Sequence, residues 1–155
     1  MKKFLTSVSL ALVLLSALSL TGCHKEDISK MPEYAVATVS TDVSGNNYIY
    51  LFYSDRQVSD GSSETSIKLS TPFIRIGFPA FPDGKEFLGD WTIVKGTPSS
   101  EGKREVDVYD TSEGWIKGGT VSITVNSLEI DGKTKNGARY MVTHSGLIPV
   151  MDVEE

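Results

Sequence analysis

Residues 120–126, TVSITVN, decide the fold class. Val121, Ile123 and Val125 alternate with Thr120, Ser122, Thr124 and Asn126. A period of two puts an apolar row and a polar row on opposite faces of an extended strand. A helix would need its apolar residues three and four apart. The β-branched side chains in the segment also suit a pleated surface. On the C-terminal side, residues 128–130 run into Asp131-Gly132, a hairpin-turn signal. Strands are expected at residues 137–144 and 147–151, ahead of an acidic tail at residues 152–155.

The same period continues toward the N-terminus. Residues 103–110 put Val106 and Val108 inward and Glu105, Asp107 and Tyr109 outward. Residues 86–95 align Phe87, Trp91 and Ile93 with Gly89 on one side, which makes Trp91 a core residue. Residues 73–78 align Ile74, Ile76 and Phe78, and Pro79, Pro82, Asp83 and Gly84 then force a turn. A short strand at residues 66–70 follows a polar loop at residues 55–65. Residues 48–54, YIYLFYS, are apolar on both faces, so this strand lies centrally in a sheet or beneath a loop. It pairs with residues 34–41 across Ser44-Gly45-Asn46-Asn47. About nine short strands and no helical period predict an all-β domain. The expected form is an antiparallel β-sandwich, Ig-like or jelly-roll-like, over residues 33–155.

The N-terminus carries a different signal. Lys2 and Lys3 precede an apolar run interrupted by Ser7, Ser9, Ser16 and Ser19, the layout of a secretory signal peptide over residues 1–22. The run is short for a transmembrane span, and no basic stop-transfer cluster follows it. Leu20, Thr21, Gly22 and Cys23 then resemble a lipobox, and Cys23 is the chain's single cysteine. The resemblance is to bacterial lipoproteins. It implies a diacylglycerol on the Cys23 sulfur, cleavage before Cys23 and acylation of the new amino terminus. Lys25, Glu26 and Asp27 resemble the export signal on surface lipoproteins of Bacteroidota, which implies the outer face of the outer membrane. The alternative for this cluster is an ordinary solvated tether. Residues 23–32 read as a lipidated tether ending at Met31-Pro32. Residues 119–150 resemble the closing hairpins of small β-rich lipoproteins in the same group, which implies a sandwich and transfers no active site.

Composition narrows the function. The chain has 155 residues and a net charge of −5, and the signal peptide holds two lysines and no acid, so the mature domain is more acidic still. One domain fits this length, and an acidic chain without a basic run does not suit nucleic acid. The two histidines, His24 and His144, cannot supply a multi-histidine zinc site. No G-x-S-x-G accompanies His144, and Ser100-Glu101-Gly102-Lys103 matches S-x-x-K without its companion motifs. Glu105, Asp107, Asp110 and Glu113 could furnish the acid pair of a glycosidase, but Glu105 and Asp107 fall on a strand's solvent side. Asp55, Asp60, Asp83 and Asp90 lack calcium-loop spacing. No metal or cofactor is expected.

Aromatic residues remain. Trp115 lies in EGWIKGG at residues 113–119, where glycines suggest a sheet edge or bulge. Paired with Tyr109, it could form a flat platform for a sugar ring; the alternative is a cap on one end of the core. The expectation is a non-enzymatic accessory module, lipid-anchored to the outer membrane and surface-exposed, that binds a glycan or protein partner. A structural or adhesive subunit of a surface assembly comes second, and a glycan-active enzyme third.

Overall fold

The computed structural model describes residues 26–32, 34–38, 45–52, 66–68, 72–80, 87–99, 101–148 and 152–154. Cys23, Lys25 and the signal peptide lie outside the described residues, as do the loop at 55–65 and residues 149–151. Twelve strands are described: β1 (Ile28–Lys30), β2 (Tyr34–Thr38), β3 (Asn47–Phe52), β4 (Ser66–Lys68), β5 (Phe73–Phe78), β6 (Gly89–Ile93), β7 (Glu105–Asp110), β8 (Gly114–Trp115), β9 (Lys117–Ile123), β10 (Ser127–Lys133), β11 (Arg139–Ser145) and β12 (Asp152–Glu154). The described residues contain no helix, so the all-β class holds.

Nine strands form one continuous path, β1-β11-β10-β9-β6-β7-β5-β3-β2, with β8 paired to β7 off that path. β4 and β12 make a separate pair. Purely antiparallel pairing was expected, and three joints depart from it: β1–β11, β6–β7 and β4–β12 are parallel. Alternation assigns a residue to a face but carries no strand direction, and residues 94–104 give enough chain for the β6–β7 crossover.

The path curls into a half-barrel. A flat sheet of nine strands would hold its edges about 38 Å apart, at about 4.8 Å per strand. β1 and β2 are its two edges, yet only residues 31–33 lie between them. Those residues reach at most about 14 Å. The sheet must therefore bend until its edges approach. The bend encloses one core, fed by alternate residues such as Leu51, Ile76, Val108, Val121, Ile130 and Tyr140. Trp91 lies in it as expected, 3 % exposed, donating its indole N–H to the Phe87 carbonyl at 2.9 Å.

Several local expectations shift. β5 matches its predicted bounds, and both faces of β3 are buried. β9 starts at Lys117 and stops at Ile123, leaving Val125 in the turn and 65 % exposed rather than inward. Asp131-Gly132 is not a turn: it lies inside β10, and the hairpin closes at residues 134–138, where Thr134 N–H donates to the Ala138 carbonyl. Gly132 is needed there for space, since a Cβ on it would sit 2.6 Å from the Ile116 side chain. Leu147 and Ile148 are not in a strand. The tether was read to residue 32, but Ile28–Lys30 belongs to the sheet as edge strand β1.

Candidate functional site

β3, β5, β7 and β8 turn one face to the core and an aromatic face outward. Ile49 and Leu51 point in, so Tyr48, Tyr50 and Phe52 point out; Ile74 and Ile76 likewise set Phe73 and Arg75 outward. Strand register lines up Tyr50, Arg75, Tyr109 and Trp115 as a single cross-strand row. β8 owes its position to a tight hairpin. The Asp110 carboxylate accepts from the Ser112 N–H at 2.7 Å, an Asx-type turn, and Gly114 takes φ of 78°. Ile116 then enters the core, which forces its neighbour Trp115 outward.

Trp115 is 44 % exposed and meets the Tyr109 ring edge-to-face, with centroids 5.1 Å apart. The Tyr50 and Phe73 rings stand 5.4 Å apart, also edge-to-face. The Arg75 guanidinium lies 5.0 Å from the Tyr48 ring centre and 5.6 Å from that of Trp115. The row therefore grades from covered at β3 to open at β8. The two ring planes stand 64° apart, so Trp115 and Tyr109 do not share the flat face expected of a platform; the open surface is that of the Trp115 indole, which is too exposed for the core cap of the alternative.

An acid sits beneath the row. Asp107 faces outward as its strand period implied, but it is buried rather than solvated, and Gly77 opposite makes the room. A Cβ on Gly77 would come within 2.6 Å of Asp107 Oδ1. Arg75 Nη2 lies 4.0 Å from that oxygen, and neither Asp107 Oδ1 nor Arg75 Nε has a hydrogen-bond partner among the described residues. Burial raises the Asp107 pKa above the usual carboxylate range, against the opposing pull of Arg75 and the Gly77 N–H.

Asp110, three residues on, points inward. Its fully buried carboxylate accepts from Lys30 Nζ and the Tyr140 hydroxyl, each at 2.6 Å, and from the Ser112 hydroxyl at 2.7 Å. Burial alone would raise its pKa, but these donors outweigh burial and hold it well below the usual range. This cluster ties β1 to β7 and β11 and is structural, with no opening to solvent at Asp110. Glu113 reaches Lys30 at 3.9 Å, and Glu105 accepts from the Ser99 N–H. The four acids therefore do not converge on one site.

The remaining candidates are placed as follows. Glu26 and Asp27 are exposed, and Asp27 Oδ1 accepts from the Arg139 N–H at 3.1 Å. Asp90 accepts from the Ser122 hydroxyl; Asp55, Asp60 and Asp83 lie outside the described residues. His144 is buried, with Nδ1 3.2 Å from the Pro32 carbonyl. Among the described residues, no three His, Cys, Asp or Glu side chains gather as a metal site would require. No helix among them is long and apolar enough to cross a membrane. Arg75 was missed by the sequence reading. Its signal was available, since period two puts it on the face opposite Ile74 and Ile76, beside Phe73. Comparison with protein-family models, with curated proteins and with solved structures gives no match.

Proposed function

We propose that this protein is a non-enzymatic glycan-binding module, anchored by acylated Cys23 to the outer membrane and displayed at the cell surface, with Trp115 as its main contact. The half-open indole of Trp115 at the end of the Tyr50–Arg75–Tyr109–Trp115 row carries the reading. A sugar ring presents C–H groups on its face and hydroxyls at its rim; a flat indole takes the former, and the neighbouring Arg75 guanidinium can donate to the latter. The anchor and the surface address follow from the lipobox resemblance and the Lys25-Glu26-Asp27 cluster. The curled sheet suits such a module, because it leaves one sheet face outside the core.

The test is tryptophan fluorescence titration of the protein against a glycan set, repeated with Trp115→Ala. Losing a dominant aromatic contact costs about 2 kcal/mol, so affinity should fall roughly thirtyfold. Trp115 is surface-lying, so the variant should melt close to the wild type, whereas loss of the core Trp91 would not be tolerated. Absence of binding to any glycan by the wild type removes the proposal. For the address, replacing Lys25, Glu26 and Asp27 by alanine should keep acylation but reduce protease shaving of intact cells; equal shaving reduces the cluster to a tether.

A second reading, a subunit of a surface assembly, has its own observation. Leu88, Val125 and Leu147 are exposed and lie at one end of adjacent strands, where Gly89 pairs with Ile123 and Gly146 N–H donates to the Asn126 carbonyl. Self-association in sedimentation, lost on Val125→Asp, would favour it.

A further inference from the structure

The end of the domain that carries Asp27 has a cleft of about 560 Å³, lined by Asp27, Lys117, Gly119, Asp131, Lys133 and Arg139 among others. Arg139 is committed to Asp131, with Nη2 to Oδ2 at 2.8 Å. Lys117 and Lys133 are exposed and form no ion pair among the described residues. They are opposite each other across the β9–β10 ladder, at the point where the register shifts beside Gly132. Gly118 and Gly119 adopt φ of 57° and 103°, and with Gly132 and Gly137 they leave part of the cleft lining without side chains.

We propose that Lys117 and Lys133 bind the phosphate of membrane headgroups, so that this cleft is the face the domain sets against the bilayer. The proposal rests on the Cys23 anchor. Asp27, whose carboxylate is fixed to the Arg139 N–H, lies four residues beyond Cys23 and is thus within about 14 Å of it. A domain of this length has a radius of gyration near 14 Å and hence a diameter of about 36 Å. The tether is less than half that diameter, so the far end, with Val125 and Leu147, cannot turn to the membrane. The cleft cannot turn away. The chain is acidic overall, and an anionic surface would repel most of it; the cleft lining sets Lys117, Lys133 and Arg139 against Asp27 and Asp131, a small excess of positive charge, and among the described residues the two lysines form no ion pair that would spend it. The same orientation points Leu88, Val125 and Leu147 outward.

The test uses the mature acylated protein, beginning at Cys23, reconstituted into vesicles containing phosphatidylglycerol, with amine acetylation read lysine by lysine by mass spectrometry. Lys117 and Lys133 should label at least fivefold more slowly in vesicles than in detergent. Lys103, next to Arg104 whose guanidinium bonds the Leu88 carbonyl at the far end, should label equally in both. Raising salt from about 0.1 to about 1 M shortens the screening length from about 10 to about 3 Å and should remove most of the protection. Equal labelling of all three lysines, or protection indifferent to salt, overturns the headgroup contact while acylation still stands. A chain that takes up no acyl label and stays out of the membrane instead defeats the anchor itself, which Cys23→Ser reproduces as the control.

Discussion

Asp107 and Asp110 stand three residues apart on one strand and respond to pH in opposite senses. The Asp110 pKa is lowered in the fold, so its stabilisation is present above the unfolded value of about 3.9 and fades as pH falls below it. Asp110→Asn leaves the mostly buried Lys30 ammonium without its anion and should cost about 3 kcal/mol in urea unfolding at pH 7. The gap to wild type should narrow as the pH is lowered into the acid range. Asp107 is raised, so its contribution is favourable below the unfolded value and turns to a penalty as pH climbs through the folded one. Asp107→Asn should therefore stabilise the protein at pH 7 by up to about 1 kcal/mol and bring no gain near pH 3. A large loss on Asp107→Asn would mean that the pairing with Arg75 outweighs burial.

At the scale of elements, the β9–β10 ladder depends on one close approach. A Cβ on Gly119 would lie 1.9 Å from the Asp131 carbonyl oxygen, and its φ of 103° already excludes ordinary side chains. Gly119→Ala should cost about 3 kcal/mol or more and raise amide exchange along β9 and β10. Gly114, with φ of 78° and no atom of the described residues within 4 Å of its would-be Cβ, offers the comparison. Its alanine variant carries only the left-handed penalty of roughly 1–2 kcal/mol. The order of the two melting temperatures tests whether crowding or backbone conformation dominates. This crossing also explains the misread turn. Asp-Gly is a good hairpin signal when local chemistry decides, but here Gly132 is spent on space between β9 and the Ile116 side chain.

For the whole molecule, the short edge strand β1 ties one margin of the sheet to the buried acid cluster. Ile28, Ser29 and Lys30 pair with Tyr140, Met141 and Val142, and Lys30 plugs the buried Asp110–Tyr140 cluster. Truncation to residue 31 removes the strand, bares the β11 edge and leaves Asp110 without its cation. It should lower the melting temperature by roughly 10 °C, taking about 3 kcal/mol at 2–4 °C or more each. Truncation to residue 26 should leave the melt unchanged, and equal melts of the two forms would show that β1 adds no stability to the sheet. The bared edge should also promote association at high concentration, since an unpaired strand invites another.

By itself the sequence determined what local periodicity can carry: an all-β chain, the core role of Trp91, the inward faces of Val106, Val108, Val121 and Ile123, and the outward face of Tyr109. Those follow because alternation fixes a side chain's face wherever a strand covers a core. Only the tertiary structure decided the rest. Strand direction at the β6–β7 joint, the recruitment of residues 28–30 from the tether, and the burial of Asp107 all depend on partners remote in sequence, for which a period of two holds no information. Trp115 shows the division most clearly: its neighbours allowed a core cap or an open platform, and the burial of Ile116 through long-range packing, not any local pattern, turned the indole outward.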